Sequence, residues 1–478
     1  MLQVFSNLFE ELEAEDIIFC NWKSHHSAES HLDGYGDLDL YIPIRFKQKF
    51  EAISKANGFR RVASYQSHHN YLEHYFGLDE VTKRFAHIHL YYKIITGEHA
   101  SKNYNLPLEN FIIKNLDRSH LLPKLNISSR RAIFLIRYFI KIGSIYGLLQ
   151  YWRELKKYKN EWNAYDVSQN FNYEDILEIG ISRKELIEID NIYQGSNFFK
   201  QLLSSIKLKK KFKAFRRRNF LKHQLFVIHN LIIRLINRLI LKKQKILIPG
   251  IVVSICGLDG SGKSSIASSL EENLSKHFCT KLIHLGRPPS TKLTFFFNCF
   301  IGIYSFLKKV RGANNKNYSD ISKKNVSLIY AIRSVLLAYD RKVQSNNAHK
   351  LSANGYIVIC DRYPGLEIGK MDSPRIPSDN SKGMLYQFCY MQEQKLYQSI
   401  KKAHIIFHLF VPLEVAIDRN NKRNKFGKET IEELKERFLV NAEARFLGKS
   451  YHIIDSSVAF ESVLTQVIHK IWHSKAWK

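Results

Sequence analysis

The sequence predicts an α/β fold: a C-terminal doubly wound domain with a five-stranded parallel sheet, preceded by an N-terminal α/β domain and a helical connector. Three observations carry this. A chain of 478 residues is too long for one ordinary domain. In its second half, short apolar runs alternate with helical patterns, as strand–helix–strand units require. The first of those runs leads directly into a glycine-rich loop and a helix start, Gly257-Leu-Asp-Gly-Ser-Gly-Lys-Ser264.

Residues 1–122 read as the N-terminal domain. Residues 2–14 form a short amphipathic helix, 16–20 and 38–42 are strands, 46–57 is a helix stopped by Gly58, and 85–93 alternates like a strand. Residues 123–248 read as a helical, basic connector. Within it, 130–152 mixes aromatic, aliphatic and basic residues, and 173–193 sets acidic and apolar residues at helical spacing. The segment 220–241 winds Leu, Ile and Val around a helix whose polar edge carries Lys222, His223, Asn230, Arg234, Asn237 and Arg238. Two expectations stay open for it: the apolar face packs on neighbouring helices, or it lies on an anionic membrane. Residues 249–478 supply the doubly wound domain, with strands at 251–256, 280–285, 356–360, 405–411 and 451–454, each followed by a helix.

Charge is uneven along the chain. There are 73 Lys and Arg against 44 Asp and Glu, a net charge of +29. No acidic residue occurs from 191 to 258, a stretch that holds Lys207, Lys209, Lys210, Lys211, Lys213, Arg216, Arg217, Arg218, Lys242, Lys243 and Lys245. A second acid-free run covers 273–319. Such runs point to an anionic partner such as a membrane surface, a nucleic acid or a phosphorylated substrate, or to a solvated connector. No specific nucleic-acid partner is expected, and a homodimer stays open.

The six cysteines are scattered, without a C-x-x-C pair, and Cys256 and Cys360 sit in apolar runs. This excludes a disulfide framework and a Cys-based zinc site and suits a reduced, cytoplasmic protein. The N-terminal residues lack a basic region and an apolar core, so no signal peptide is expected. No uninterrupted apolar stretch reaches the ~20 residues of a spanning helix.

The glycine loop fits the phosphate-binding pattern G-x-x-x-x-G-K-[ST]. Glycines let backbone N–H groups curl around a nucleotide's β-phosphate, and the helix start adds its positive dipole end. The predicted nucleotide-binding set is Gly257, Asp259, Gly260, Ser261, Gly262, Lys263, Ser264 and Ser265. Lys263 is placed to reach the β- and γ-oxygens, and the Ser264 hydroxyl to ligate Mg²⁺.

Beyond the loop, residues 251–472 resemble, in order, the thymidylate kinase family of nucleoside-monophosphate kinases. The family's Arg-Glu-Pro segment is echoed by Gly286-Arg287-Pro288-Pro289, and its Ala-Ala-Asp-Arg helix by Leu336-Leu-Ala-Tyr-Asp-Arg341. Tyr356-Ile-Val-Ile-Cys-Asp-Arg-Tyr363 is similar to its Asp-Arg-Tyr strand end, residues 411–423 to its basic lid, and Tyr451-His-Ile-Ile-Asp-Ser-Ser457 to its closing strand. The resemblance implies an ATP- and Mg²⁺-dependent kinase acting on a small-molecule acceptor. Phosphoryl transfer is mostly positioning plus cationic stabilisation. Accordingly Lys263, Asp361, Arg419 and Arg423 are the expected catalytic residues, with Lys425 or Lys428 beside them in the lid. Asp361 is expected to hold Mg²⁺ through water or orient the acceptor. Arg287, Arg341 and Arg362 are expected to clamp an acceptor phosphate.

The chain also departs from that family. Cys256 stands where the family has an acidic residue, and Pro364 to Arg375 does not look like its thymine-reading segment. The acid-free run 273–319 falls where the acceptor pocket belongs. The Met371-Asp-Ser-Pro-Arg375 stretch resembles a divergent subgroup associated with surface-polysaccharide gene clusters. The expected acceptor is then a sugar, a glycan or another phosphorylated small molecule. The alternatives are a true dTMP kinase and a non-catalytic ATP-binding regulator or scaffold.

In the N-terminal region, Gly34-Tyr-Gly-Asp37-Leu-Asp39-Leu-Tyr-Ile resembles the nucleotidyltransferase superfamily. Lys23-Ser24 stands in for that fold's Gly-Ser pair, with 12 residues before Asp37. Residues two apart on a strand share a face, so Asp37 and Asp39 are candidate ligands for one or two Mg²⁺ ions. Where the superfamily places a third carboxylate on a later strand, this chain offers His87 and His89. Two readings stay open: an active transferase, or a degenerate domain that binds substrate or a partner.

Overall fold

A computed structural model describes the chain apart from residues 65–68, 99–100, 143–144, 166–170, 242–243, 300–326, 423–429, 442 and 478. The described residues form two compact units, Met1–Lys245 and Ile246–Lys478.

The first unit is built on a mixed sheet. Its strands are β1 (Cys20–Asn21), β2 (Leu38–Tyr41), β3 (Phe59–Ala63), β4 (Leu72–Leu78), β5 (Phe85–Tyr91), β8 (Leu116–Asp117) and β9 (Lys124–Leu125), while β6 (Ile94–Thr96) and β7 (Tyr104–Leu106) form a separate ribbon. Within the unit the strands run in the order β3-β4-β5-β2-β1-β9-β8. Alternation along the strands decides what each face does. Leu38 and Leu40 of β2 and Ile88 and Leu90 of β5 pack with Phe5, Phe9 and Leu12 of helix α1 (Gln3–Ala14) and Phe50 of α2 (Lys47–Ala56). Tyr41 and Tyr91 turn to the opposite face, and Asp39 and His89, two residues away on the same strands, share its parity.

That second face is covered by helices from the segment expected to be a connector. They are α3 (Ile127–Ile142), α4 (Ile145–Asn163), α5 (Arg183–Gln194) and α6 (Phe198–Lys211); α7 (Phe220–Ile236) follows them in the chain. One apolar cluster joins Cys20, Trp22, Tyr41 and Tyr91 of the sheet to Phe134, Leu135 and Phe139 of α3 and Leu186 of α5. Helices α3 to α6 are thus a layer of the first unit and not a free connector. One physical reason is that two of their arginines are paired inside it. Arg131 meets Asp190 at 2.7 Å and Arg137 meets Glu161 at 2.8 Å, all four side chains buried. Locally, α5 starts where Ser182 and Glu185 form a reciprocal capping box.

The second unit has the predicted five-stranded parallel sheet. Its strands are β10 (Ile251–Gly257), β11 (Thr280–His284), β12 (Ile357–Asp361), β13 (Ala403–Phe410) and β14 (Gly448–Asp455), in the order β11-β12-β10-β13-β14. Every pairing is parallel. Helices α8 (Lys263–Ser275), α9 (Leu328–Ala353), α10 (Met384–Gln398), α11 (Leu413–Asn421), α12 (Ile431–Asn441) and α13 (Phe460–Trp472) complete it. This is a doubly wound α/β fold with a glycine-rich loop after its first strand. β10 and β12 are buried along their whole length, which explains their unbroken apolar runs. The register sets Ile255 opposite Asp361 and Gly257 opposite Leu409, so three strand ends meet where the strand order reverses. In open α/β sheets that crevice is where ligands bind. Among the described residues no helix is long and apolar enough to cross a membrane.

Candidate functional site

The loop between β10 and α8 is shaped by its glycines. Gly257, Gly260 and Gly262 have φ of +151°, +91° and +79°. A Cβ on Gly257 would stand 2.6 Å from the Ser261 Oγ and 2.7 Å from the Leu409 carbonyl. On Gly260 it would stand 3.1 Å from Ala416 of α11. The loop therefore lies flat against β13 and α11, as only glycine permits. Gly262 is the N-cap of α8 and offers no capping side chain, and the first turn carries no acidic residue. The N–H groups of that turn are left for an anion.

Three cations meet at the loop on one carboxylate. Lys263 is 5% exposed, with its Nζ 2.6 Å from the Asp259 Oδ1 and 3.1 Å from the Leu258 carbonyl. The Arg362 Nη2 lies 2.9 Å from the same Oδ1, and the Arg437 Nη1 3.1 Å from Oδ2. Burial pulls the Lys263 ammonium below its ordinary pKa, against the pull of Asp259. Burial alone would raise the Asp259 carboxyl, but Lys263, Arg362 and Arg437 outweigh it and hold it below the usual carboxylate range. Arg362 follows the end of β12 with φ +71°, an unusual conformation for a non-glycine residue. It is kept there by Asp259 and by Asp372, 3.3 Å away.

Asp361 ends β12 beside the loop. Its Oδ2 accepts from the Ser264 Oγ at 2.9 Å, and the His284 Nε2 is 3.7 Å away. Its Oδ1 is buried and takes no hydrogen bond among the described residues. A carboxylate oxygen left open beside a serine hydroxyl is an all-oxygen donor set, which suits a hard cation such as Mg²⁺.

The remaining expected site residues separate by position. Arg419 on α11 donates to the Ser456 carbonyl at 2.8 Å and approaches the Gly260 carbonyl at 3.4 Å, so it braces the loop. Arg341 is fully buried on α9. It donates to the carbonyls of Leu285 at 3.1 Å and Gly286 at 3.0 Å, to Asp372 at 2.9 Å and to the Tyr397 hydroxyl. Its guanidinium, expected to clamp an acceptor, is spent here on these groups; it holds Asp372, which in turn holds Arg362. Arg287 is exposed after β11, and Ser265 is exposed on α8. Arg423, Lys425 and Lys428 lie outside the described residues.

Arg437 and Asp372 were not singled out by the sequence reading. Arg437 sits in a charged run on α12 that looks like any solvated helix face. Asp372 lies inside the departing segment, which the α12 residue Asn441 anchors by accepting from the Met371 N–H at 2.6 Å.

In the first unit, Asp37, Asp39 and His89 offer ligand atoms within 4.8 Å of one another. The parallel register sets Asp39 opposite His89. The His89 Nδ1 is 3.1 Å from the Asp39 Oδ1 and 3.4 Å from the Asp37 Oδ2. Lys23 and Ser24 also reach this site. The Lys23 Nζ is 2.8 Å from the Asp39 Oδ1, and the Ser24 Oγ donates to Oδ2 at 3.2 Å. Burial would raise the Asp39 carboxyl, yet Lys23 and His89 hold it well below the ordinary range. His87 stands next to His74, 3.1 Å between ring nitrogens, and burial keeps both well below the ordinary histidine pKa. The three-group cluster can hold a divalent cation, but the Lys23 ammonium already supplies positive charge to Asp39.

No protein-family model matches the chain. It is 25% identical over 224 residues to the uncharacterized ATP-binding protein YghR of Escherichia coli strain K12, covering 46% of this chain and 85% of that protein. It is 23% identical over 233 residues to the uncharacterized ATP-binding protein YghS of the same strain, covering 46% of this chain and 92% of that protein. Among solved structures it is similar to the thymidylate kinase of Candida albicans, with 22% identity, a TM-score of 0.29, and coverage of 48% of this chain and 94% of that one.

Proposed function

We propose that the second unit binds ATP with Mg²⁺ and transfers the γ-phosphoryl group to a sugar-type or phosphorylated small molecule. The observation that carries this reading is the convergence of Lys263, Arg362 and Arg437 on Asp259 at an uncapped helix start. Three cations gathered by one carboxylate are more than that carboxylate needs. A polyphosphate entering the loop takes them over, and Lys263 turns from Asp259 to the β- and γ-oxygens. Ser264 and Asp361 would hold Mg²⁺, which would offset the charge that develops on the phosphate oxygens. Arg419, braced on the loop, and Arg423, assigned from sequence alone, supply further positive charge to the transferring group. Arg287 and Arg362 face the acceptor side, with Arg362 steadied through Asp372 by Arg341. In the first unit, Lys23 in contact with Asp39 favours a ligand-binding role over nucleotidyl transfer.

The test is steady-state ADP release with Mg²⁺ and a panel of candidate acceptors. Wild-type protein is expected to show acceptor-stimulated turnover, and Lys263→Ala to lower kcat by on the order of 10²-fold or more, because a cation is lost where charge develops. Unchanged turnover in a folded Lys263→Ala variant defeats the assignment. ATP binding by calorimetry with no acceptor-stimulated release would instead identify a non-catalytic ATP-binding regulator.

A further inference from the structure

Helix α7 is docked inside out. Its buried residues are His223, Val227 and Asn230. The His223 Nε2 lies 3.2 Å from the Glu98 Oε2, and the Arg218 guanidinium that precedes the helix stacks 3.6 Å from the Phe226 ring centre. The polar edge thus faces the protein. Phe220, Leu221, Leu225, Ile228, Ile232 and Leu235 point away from it and are 52–75% exposed. From Leu221 onward they recur at alternating spacings of four and three, so they form one stripe along the helix. An amphipathic helix that follows the usual rule buries this stripe. Here the fold takes up His223 and Asn230 of the polar edge and, among the described residues, leaves about four turns of apolar side chains uncovered.

Charge decides what covers the stripe. Residues 191–258 contain no acidic side chain, and Lys210, Lys213, Lys222 and Arg238 are exposed before, on and after the helix. Pairing with a second copy would bring two acid-free basic segments together with no carboxylate to answer either. A surface that is apolar in its interior and negative at its rim matches both properties at once. We infer that α7 is a membrane-surface helix, seating its outward stripe in the headgroup–acyl boundary of an anionic bilayer. Lys213, Lys222 and Arg238 rest among the lipid phosphates, with their methylene stems along the apolar layer.

Co-sedimentation of the full chain with vesicles tests this. Two lipid compositions are needed, phosphatidylcholine alone and phosphatidylcholine with phosphatidylglycerol, each at low and high salt. The wild type is expected to pellet with the phosphatidylglycerol vesicles at low salt and much less at high salt, because screening shortens the reach of the cations. Leu225→Gln, Ile228→Gln and Ile232→Gln together should weaken partitioning at least about tenfold, while the exposed positions leave the melting temperature close to wild type. A second variant, Lys213→Glu with Lys222→Glu, keeps the apolar stripe and should lose the salt-sensitive part of binding. Wild-type protein that stays in the supernatant with anionic vesicles at low salt overturns the inference. So does a solution dimer that the glutamine variant dissolves without vesicle binding by either protein, which would assign the stripe to a second copy.

Discussion

Asp259 is the residue on which the ligand-free site turns. It gathers Lys263, Arg362 and Arg437, so its carboxylate offsets the mutual repulsion of three close cations, of which Arg362 also meets Asp372. Because its folded pKa lies below the unfolded value near 3.8, this contribution is fully present above that pH and is lost progressively as pH falls from there through the lower folded value. Asp259→Asn should therefore lower the melting temperature of the second unit near neutral pH and flatten its decline on the acid side. Calorimetric scans from neutral pH downward check this, and parallel acid declines in both proteins would remove Asp259 from that role. At this scale the sequence was informative where a motif sets backbone and charge together, as in Gly257 to Ser264. It was silent on Arg437, whose significance depends on a carboxylate 178 positions earlier, at Asp259. It gave no sign that Arg341, expected to clamp an acceptor, spends its donors on Leu285, Gly286, Asp372 and Tyr397.

Elements separate the two halves differently. Strands β10 and β12 were legible because buried parallel strands read as unbroken apolar runs. Helix α3 was legible as a helix and not as a core helix, because its arginines suggested solvent. Arg131 lies between the Trp162 and Phe171 rings, 4.0 and 3.8 Å from their centres, and its partner Asp190 is 59 residues away. No local pattern announces such a pair. Removing one member should be costly: Asp190→Ala leaves a buried guanidinium without its carboxylate, a loss of about 3–5 kcal/mol. For a unit of this size that lowers Tm by on the order of 10 °C. Scanning calorimetry of the single variant, and of Arg131→Met with Asp190→Leu, makes the measurement. The double variant should recover most of the loss, since the pair is then replaced by apolar groups. A single variant that melts with the wild type would mean that Arg131 is stabilised by its aromatic neighbours alone.

At the scale of the whole molecule, each cluster of chemical groups is assembled from residues of its own unit. Asp37, Asp39, His89 and Lys23 belong to Met1–Lys245, and the loop with its cations and Asp361 to Ile246–Lys478. The pattern Asp-x-Asp was legible from its spacing, and Asp39 on β2 and Asp37 just before it do meet at His89, but the ammonium of Lys23 against Asp39 was not legible. Two expectations follow from this division. The segment Pro364 to Arg375 is anchored through Asp372 and Met371 to groups within the second unit, and its sequence does not look like the thymine-reading segment of the thymidylate kinase family. dTMP should accordingly be a poor acceptor, with kcat/KM well under ~10⁵ M⁻¹s⁻¹; efficient dTMP phosphorylation would restore the dTMP kinase reading. The second expectation concerns independence. Asp37→Asn with Asp39→Asn removes the negative partners of Lys23 and His89 in the first unit and touches nothing around Lys263. ATP turnover should then stay within about twofold of wild type, a change below ~0.5 kcal/mol in the barrier. Divalent-metal binding to the first unit, followed by titration calorimetry with Mn²⁺, should disappear in the same protein. Loss of turnover in a variant that melts like the wild type would show that the carboxylates of the first unit act in the reaction of the second, and that the two clusters work as one.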